Sequence, residues 1–262
     1  MKTRTISGAI IALVVGALIY FGGIAFDIGV AVAAIIAFKE LLDVRKNYTI
    51  PPIMKIVGLV CMLLLTFVNI DGYSIVFGLS YETLSLVFIL LLAPTVLLHK
   101  YNYRTNEAFY LASITIFLGV IFNLFIMLYN ESMLLFIYII LVACITDIFA
   151  LVGGKLIGKH KLTKISPGKT IEGSITGTLL ATIVGTTYYV TLIGTTPLTT
   201  VIIITIVLSI VGQIGDIFFS LIKRENDIKD YSNLIPGHGG ILDRLDSIIF
   251  ILIAFVFIMQ FL

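Results

Sequence analysis

The chain has 262 residues, of which 59% are apolar and only 12% charged. Soluble domains run near roughly 45–50% and about 25%, so composition excludes a soluble enzyme and points to a polytopic membrane protein. The net charge of +2 says little about partners, and where the charges lie says more; no nucleic-acid partner is expected.

A spanning helix needs roughly 20 mostly apolar residues. Breaks at charges and turn residues predict nine such spans, at 5–22, 24–42, 53–70, 83–99, 108–129, 132–152, 173–193, 198–220 and 246–262. The first begins with Lys2 and Arg4 and runs directly into the second across Gly22-Gly23, so it reads as an uncleaved helix rather than a signal. Runs of β-branched residues such as Ile203-Ile204 would favour strands in water. In lipid, a helix satisfies its own backbone groups, and this overrides β propensity. Cys61 and Cys144 both fall inside apolar runs and make neither a metal-ligand spacing nor a disulfide framework.

Charge supplies an orientation. With the N-terminus in the cytoplasm, the inner segments hold Lys2, Arg4, Lys39, Arg45, Lys46, Lys55, Lys100, Arg104, Lys155, Lys159, Lys161, Lys164, Lys169, Lys223, Arg224, Lys229 and Arg244, which are all 17 basic residues. The outer turns hold Asp27, Asp71, Glu82 and Glu131. So complete a bias follows the positive-inside rule and predicts an outer C-terminus. A single membrane domain over 1–262 is expected. Residues 1–131 read as scaffold helices, and 132–262 as catalytic helices with cytoplasmic loops at 153–172 and 221–245.

The second half carries the chemistry. Asp147 lies eight residues before Lys155, and Asp216 seven before Lys223, on spans running in the same direction. At ~1.5 Å per residue each carboxylate sits on the order of 10–12 Å from its first basic residue. Asp243 and Asp246 open the last span from the same side, and their i, i+3 spacing puts both on one helix face. Four carboxylates from three spans are therefore expected to meet at one depth. Each needs a cation or a proton there. Structural ion pairs with Lys223, Arg224 and Arg244 are one answer. The other is a divalent metal on Asp216, Asp243 and Asp246, whose few hard oxygen ligands suit Mg²⁺ that also binds substrate phosphates.

Two polar segments surround these acids. The 153–172 loop gathers Lys155, Lys159, His160, Lys161, Lys164 and Lys169, with Ser166-Pro-Gly-Lys-Thr170 leading into Glu172. Cations and backbone N–H groups at a helix start suit polyanions, although anionic lipid attracts such a run as well. Gly168-Lys169-Thr170 is not a nucleotide P-loop, because Thr163 stands where that motif needs glycine. The second segment combines Ser220, Lys223, Arg224, Lys229 and Asp230 with Pro236-Gly-His238-Gly239-Gly240 and Arg244. Its glycines allow a backbone to approach a ligand closely.

Ser220-x-x-Lys-Arg-x-x-x-x-Lys-Asp230 followed by Ile235-Pro-Gly-His-Gly-Gly-Ile-Leu-Asp-Arg-Leu-Asp-Ser247 resembles the signature of the phosphatidate cytidylyltransferase (CDP-diacylglycerol synthase) family. Thr146-Asp147, Gly158-Lys-His-Lys-Leu162, Ser166-Pro-x-Lys-Thr-Ile-Glu-Gly173 and Gly212-Gln-x-Gly-Asp216 agree with it. Leu151 and Phe219 depart from the family pattern, where a Tyr and an acid are common. The resemblance implies transfer of a cytidylyl group from CTP to phosphatidate at the cytoplasmic face of the cell membrane, with one or two Mg²⁺ ions and a homodimer. It implies catalytic roles for Asp216, Lys223, Arg224, Asp243, Arg244 and Asp246. Substrate binding would fall to Asp147, Ser166, Lys169, Thr170, Glu172, Ser220, Lys229, Asp230, His238, Gly239 and Gly240. A CTP-dependent polyprenol or phytol kinase, a cytidylyltransferase acting on another lipid phosphate, and an ion-coupled transporter are the competing readings.

Overall fold

A computed structural model describes residues 2–45, 48–68, 81–98, 103–194, 196–237 and 239–261, with side chains from residue 7 onward and none for Tyr81. Lys46, Asp71, Lys100 and His238 lie outside the described residues. Ten helices occur among those described: α1 (Lys2–Phe21), α2 (Gly23–Val44), α3 (Pro52–Phe67), α4 (Tyr81–Leu92), α5 (Thr95–Leu98), α6 (Thr105–Glu131), α7 (Met133–Ile157), α8 (Ile171–Leu192), α9 (Leu198–Glu225) and α10 (Leu242–Met259). Every regular element among the described residues is a helix, as the apolar pattern predicts. α6, α7, α8 and α9 are each long and apolar enough to cross a membrane.

The differences from the predicted spans have local causes. The span expected at 83–99 is interrupted after Leu92, because Pro94 cannot donate and its ring crowds the preceding turn. Thr95 Oγ1 donates to Leu92 O at 2.7 Å and ties the broken ends together. The α1–α2 link is confined to Gly22, whose φ of 61° is readily available only without a Cβ. α7 and α9 run past their apolar segments, so Lys155, Lys223 and Arg224 stand on helices rather than in loops. α9 is 28 residues long, about 42 Å at helical rise. It stops in a Schellman turn: Ile228 N donates to Lys223 O at 2.9 Å, Asp227 N donates to Arg224 O at 3.2 Å, and Asp227 takes φ 54°.

The chain divides into two units. One comprises Met1–Met127 and Asp230–Leu242, the other Leu128–Lys229 and Asp243–Leu262. In the first, Phe26, Val30, Ala34, Ala37, Phe38 and Leu41 form the buried stripe of α2, at the spacing of one helix face. Gly58 of α3 is packed so closely that a Cβ there would lie 2.9 Å from Leu111 and 3.2 Å from Phe38. Asn123 on α6 donates to Thr66 O and Val68 O, both at 2.9 Å, closing the end of α3.

In the second unit small residues let backbones touch. A Cβ on Gly177 of α8 would sit 2.6 Å from Thr146 O, and one on Gly215 of α9 2.8 Å from Asp246 O. Hydroxyls and an amide then join the helices: Thr146 with Ser209 (2.8 Å), Ser209 to Thr178 (3.2 Å), Gln213 to Thr178 (2.9 Å) and Tyr138 with Thr205 (2.7 Å). In lipid, where apolar surface has no reason to leave its solvent, close packing and such hydrogen bonds hold helices together. This packing draws α7, α8, α9 and α10 close enough for their polar ends to meet.

Candidate active site

Four of the second unit's five aspartates, Asp147, Asp216, Asp243 and Asp246, take part in one polar centre, while Asp227 lies in the turn that ends α9. Asp147 on α7 accepts from Ser247 Oγ at 3.1 Å, and Ser247 N in turn donates to Asp246 Oδ1 at 2.9 Å. The carboxylates of Asp216 and Asp147 are both electrostatic neighbours of Asp246. Asp216 on α9 is ion-paired to Lys169 and accepts from Ser220 Oγ, one turn further on, at 3.4 Å. Asp243 pairs with Lys223 at 2.6 Å, with side chains only 4% and 10% exposed. Arg244 is exposed and contributes its charge near Asp147.

The segment carrying Lys169 is a hairpin between α7 and α8. Lys161 and Thr170 form an antiparallel bridge. Leu162 N donates to Lys169 O and Ile171 N to His160 O, both at 2.9 Å. Ser166 serves the turn, its carbonyl accepting from Lys169 N at 3.0 Å. Thr170 is the N-cap of α8 and accepts from Gly173 N at 3.1 Å, satisfying one orphan donor of the helix start. Glu172 holds the hairpin's other strand. Its carboxylate accepts from Lys159 N (3.0 Å), His160 N (3.2 Å) and His160 Nδ1 (2.6 Å). Thr170 and Glu172 thus spend their side chains on the hairpin, and the result is a backbone that delivers Lys169 to Asp216.

The remaining predicted residues are placed as follows. Arg224 is exposed and donates to Ile228 O at 3.2 Å. Lys229 is exposed at the end of the second unit. Asp230, exposed, and Gly239 and Gly240, buried, belong to the first unit. There the Pro-Gly-x-Gly-Gly turn closes through a two-way backbone bridge between Ile235 and Gly239, with φ 77° at Gly237 and 83° at Gly239. His238 is outside the described residues.

Two residues in these networks were not singled out from the sequence. Ser247 links two aspartates, and only its position next to Asp246 hints at this. Glu40, in a helix read as scaffold, is 3% exposed and accepts from Ser232 Oγ, Ile241 N and Leu242 N within the first unit. Glu40 falls inside the predicted span 24–42, within the helices read as scaffold, and no local pattern there points to its distant partners.

The donors of the centre can be tested against a divalent metal. They are hard oxygens, four carboxyl groups set beside the cations Lys169, Lys223 and Arg244. That chemistry fits an ion such as Mg²⁺, which binds through one or two carboxylates together with substrate phosphates. Among the described residues, no group of three or more His, Cys, Asp or Glu side chains is disposed to enclose a metal unaided. A phosphate-bearing substrate would have to complete the shell.

Fold and site together define a class: a multi-pass helical membrane protein whose second unit holds a centre of aspartates paired with lysines. The profile of the cytidylyltransferase family matches residues 2–262, and the chain belongs to that family. It is similar to the phosphatidate cytidylyltransferase of Bacillus subtilis (strain 168), at 33% identity over 260 residues, 96% of this chain and 95% of the relative. The enzymes of that name from Staphylococcus haemolyticus (strain JCSC1435) and Staphylococcus saprophyticus are 34% and 35% identical, each over 255 residues and 96% of both chains.

Proposed function

We propose that this protein is a CTP:phosphatidate cytidylyltransferase, converting CTP and phosphatidate to CDP-diacylglycerol and pyrophosphate in phospholipid biosynthesis. The observation that carries this reading is the convergence of Asp147, Asp216, Asp243 and Asp246 with Lys169 and Lys223, in a chain of the cytidylyltransferase family. Lipid phosphate sits at a membrane boundary and CTP arrives from water, so a centre of acids with the basic 153–172 hairpin and the Lys223–Arg224 helix end close by along the chain suits both.

An oxygen of the phosphatidate phosphate attacks the α-phosphorus of CTP in line. The bond from that phosphorus to the α,β-bridging oxygen breaks, and pyrophosphate leaves with the electron pair. Positioning suffices, because a phosphate oxygen is already a nucleophile and needs no covalent enzyme intermediate. Lys223, Arg224, Lys229 and Arg244 neutralise charge on the triphosphate and the leaving group. Lys169 and Lys223 exchange their carboxylate partners for phosphate oxygens as substrate enters. Asp147, Ser166, Thr170, Glu172 and Ser220 orient substrate directly or through the hairpin and helix ends they build. Asp230, His238, Gly239 and Gly240 are assigned to substrate binding on the family resemblance. Asp216, Asp243 and Asp246 would hold one or two Mg²⁺ ions, which when bound supply Lewis-acid neutralisation of the reacting phosphates.

The complete segregation of basic residues supports nine spans, an inner N-terminus and a centre open to the cytoplasm. The homodimer rests on resemblance alone. The decisive test uses purified protein, phosphatidate in mixed micelles, and CTP labelled in the cytidine ring or at the γ-phosphate. Ring label entering lipid, with γ-label released in pyrophosphate, is the expected result. Transfer of γ-label to lipid would make the protein a kinase instead, and no turnover of CTP would end the assignment.

A further inference from the structure

Glu40 is a carboxylate buried in an otherwise apolar helix face, and burial of a charge is unfavourable unless its lone pairs are met. No Lys, Arg or His among the described residues forms an ion pair with it. Its partners are all neutral donors from one distant loop: Ser232 Oγ at 2.7 Å, Ile241 N at 3.0 Å and Leu242 N at 2.9 Å. The two amides open α10, where helix geometry leaves N–H groups without intrahelical acceptors. Glu40 therefore caps a helix from about 200 residues away in sequence.

The loop is shaped to receive this carboxylate. A Cβ on Gly240 would stand 2.2 Å from Glu40 Oε1 and 2.7 Å from Oε2, so the backbone is pressed against the acid where no side chain fits. At the other side of the turn, Ser7 Oγ donates to Pro236 O at 3.0 Å. A run of glycines is the segment with most conformational freedom to lose. Here it is tied at both ends within the first unit, and the residue following Leu242 along the chain is Asp243.

We propose that Glu40 is a positioning residue for cytidylyl transfer: it holds Ser232 and the 239–242 backbone, which leads along the chain into α10, in the conformation the reaction requires. This rests on the reading that the loop and Asp243 serve that reaction. A mere structural brace would lower the folded fraction and leave the turnover of folded molecules unchanged. A positioning residue lowers kcat per folded molecule.

The test uses the full-length protein in detergent with Glu40→Gln, which keeps size but turns one acceptor into an NH₂ facing backbone donors. Hydrogen–deuterium exchange of the 239–242 amides should accelerate. The kcat for labelled cytidine transfer should fall about tenfold or more, the scale of one charge-assisted hydrogen bond, while KM for CTP changes little. Gly240→Ala pushes the carboxylate away from the other side and should act in the same direction. The double variant should be no worse than the more impaired single one, because both break one contact. Unchanged exchange, full kcat, or a loss that only follows the amount of folded protein overturns the proposal. Should Glu40→Gln not fold, Ser232→Ala, which removes a donor to the same carboxylate at a residue outside the assigned site, decides on the same readouts. An inactive Asp243→Asn beside a fully active Glu40→Gln sinks this inference alone, whereas a fully active Asp243→Asn overturns the site reading and this inference with it.

Discussion

Replacing Asp243 with Asn separates the structural from the chemical demand on the centre. The Asp243–Lys223 pair is almost wholly buried at 2.6 Å, where an effective dielectric of about 20 gives roughly 6 kcal/mol of Coulomb attraction. Desolvation of the two ions offsets much of this. Removing one partner, however, takes from the buried Lys223 its hydrogen-bonded carboxylate and leaves only neighbours such as Asp246, which costs about 3–5 kcal/mol. In a chain of this size that lowers Tm by roughly 6–20 °C, read from the helical circular dichroism signal in detergent. Cytidine transfer, assayed below the variant's Tm, should be abolished. Lys223→Met combined with Asp243→Asn removes both charges and should recover most of the lost Tm while remaining inactive. A single variant with wild-type Tm would refute the energetic argument. A double variant with wild-type activity would remove both residues from the chemistry.

Gly215→Ala puts a methyl 2.7 Å from the Phe250 ring and 2.8 Å from Asp246 O, an overpacking worth about 1–3 kcal/mol. Because Asp216 and Asp246 flank this contact, transfer activity should fall well beyond the loss of Tm; unchanged activity would show that the α9–α10 spacing is not critical. Chelation should abolish transfer and Mg²⁺ restore it, with Asp246→Asn raising the Mg²⁺ concentration for half-maximal rate; an unaltered Mg²⁺ requirement would take Asp246 out of the ligand set. Glu172→Gln should loosen the hairpin and raise KM for CTP several-fold with little change in kcat, and an unchanged KM would disconnect that loop from the nucleotide. Lys161→Ala, at an exposed position, should be mild in the same assay, and an inactive variant would give the hairpin's outer strand a direct role.

The helical class was legible because lipid leaves the backbone no alternative to internal hydrogen bonding, so a long apolar run becomes a helix unless, as at Pro94, a residue breaks the ladder. Helix ends were less legible. Hydropathy reports where charge begins, but α7 and α9 carry their hydrogen-bond ladders past Lys155, Lys223 and Arg224, and only the Schellman turn at Asp227 stops α9. The meeting of Asp147, Asp216, Asp243 and Asp246 was readable from their shared end of three spans and the i, i+3 spacing of the last two. Which cation each acid takes was not. Asp216 pairs with Lys169 from another loop, and Glu172 turns to its own hairpin, because partners depend on distances between helices that no local pattern encodes.

Sequence by itself determined the class of protein, the helical solution and the inventory of charged groups, since all three follow from composition and from the cost of burying polar backbone in lipid. Tertiary structure alone decided how that inventory is wired. Glu40 shows the division most clearly. Its neighbours along the chain mark it as an ordinary residue at a span's end. Its function as a cap exists only because folding brings the amides of Ile241 and Leu242 to its carboxylate.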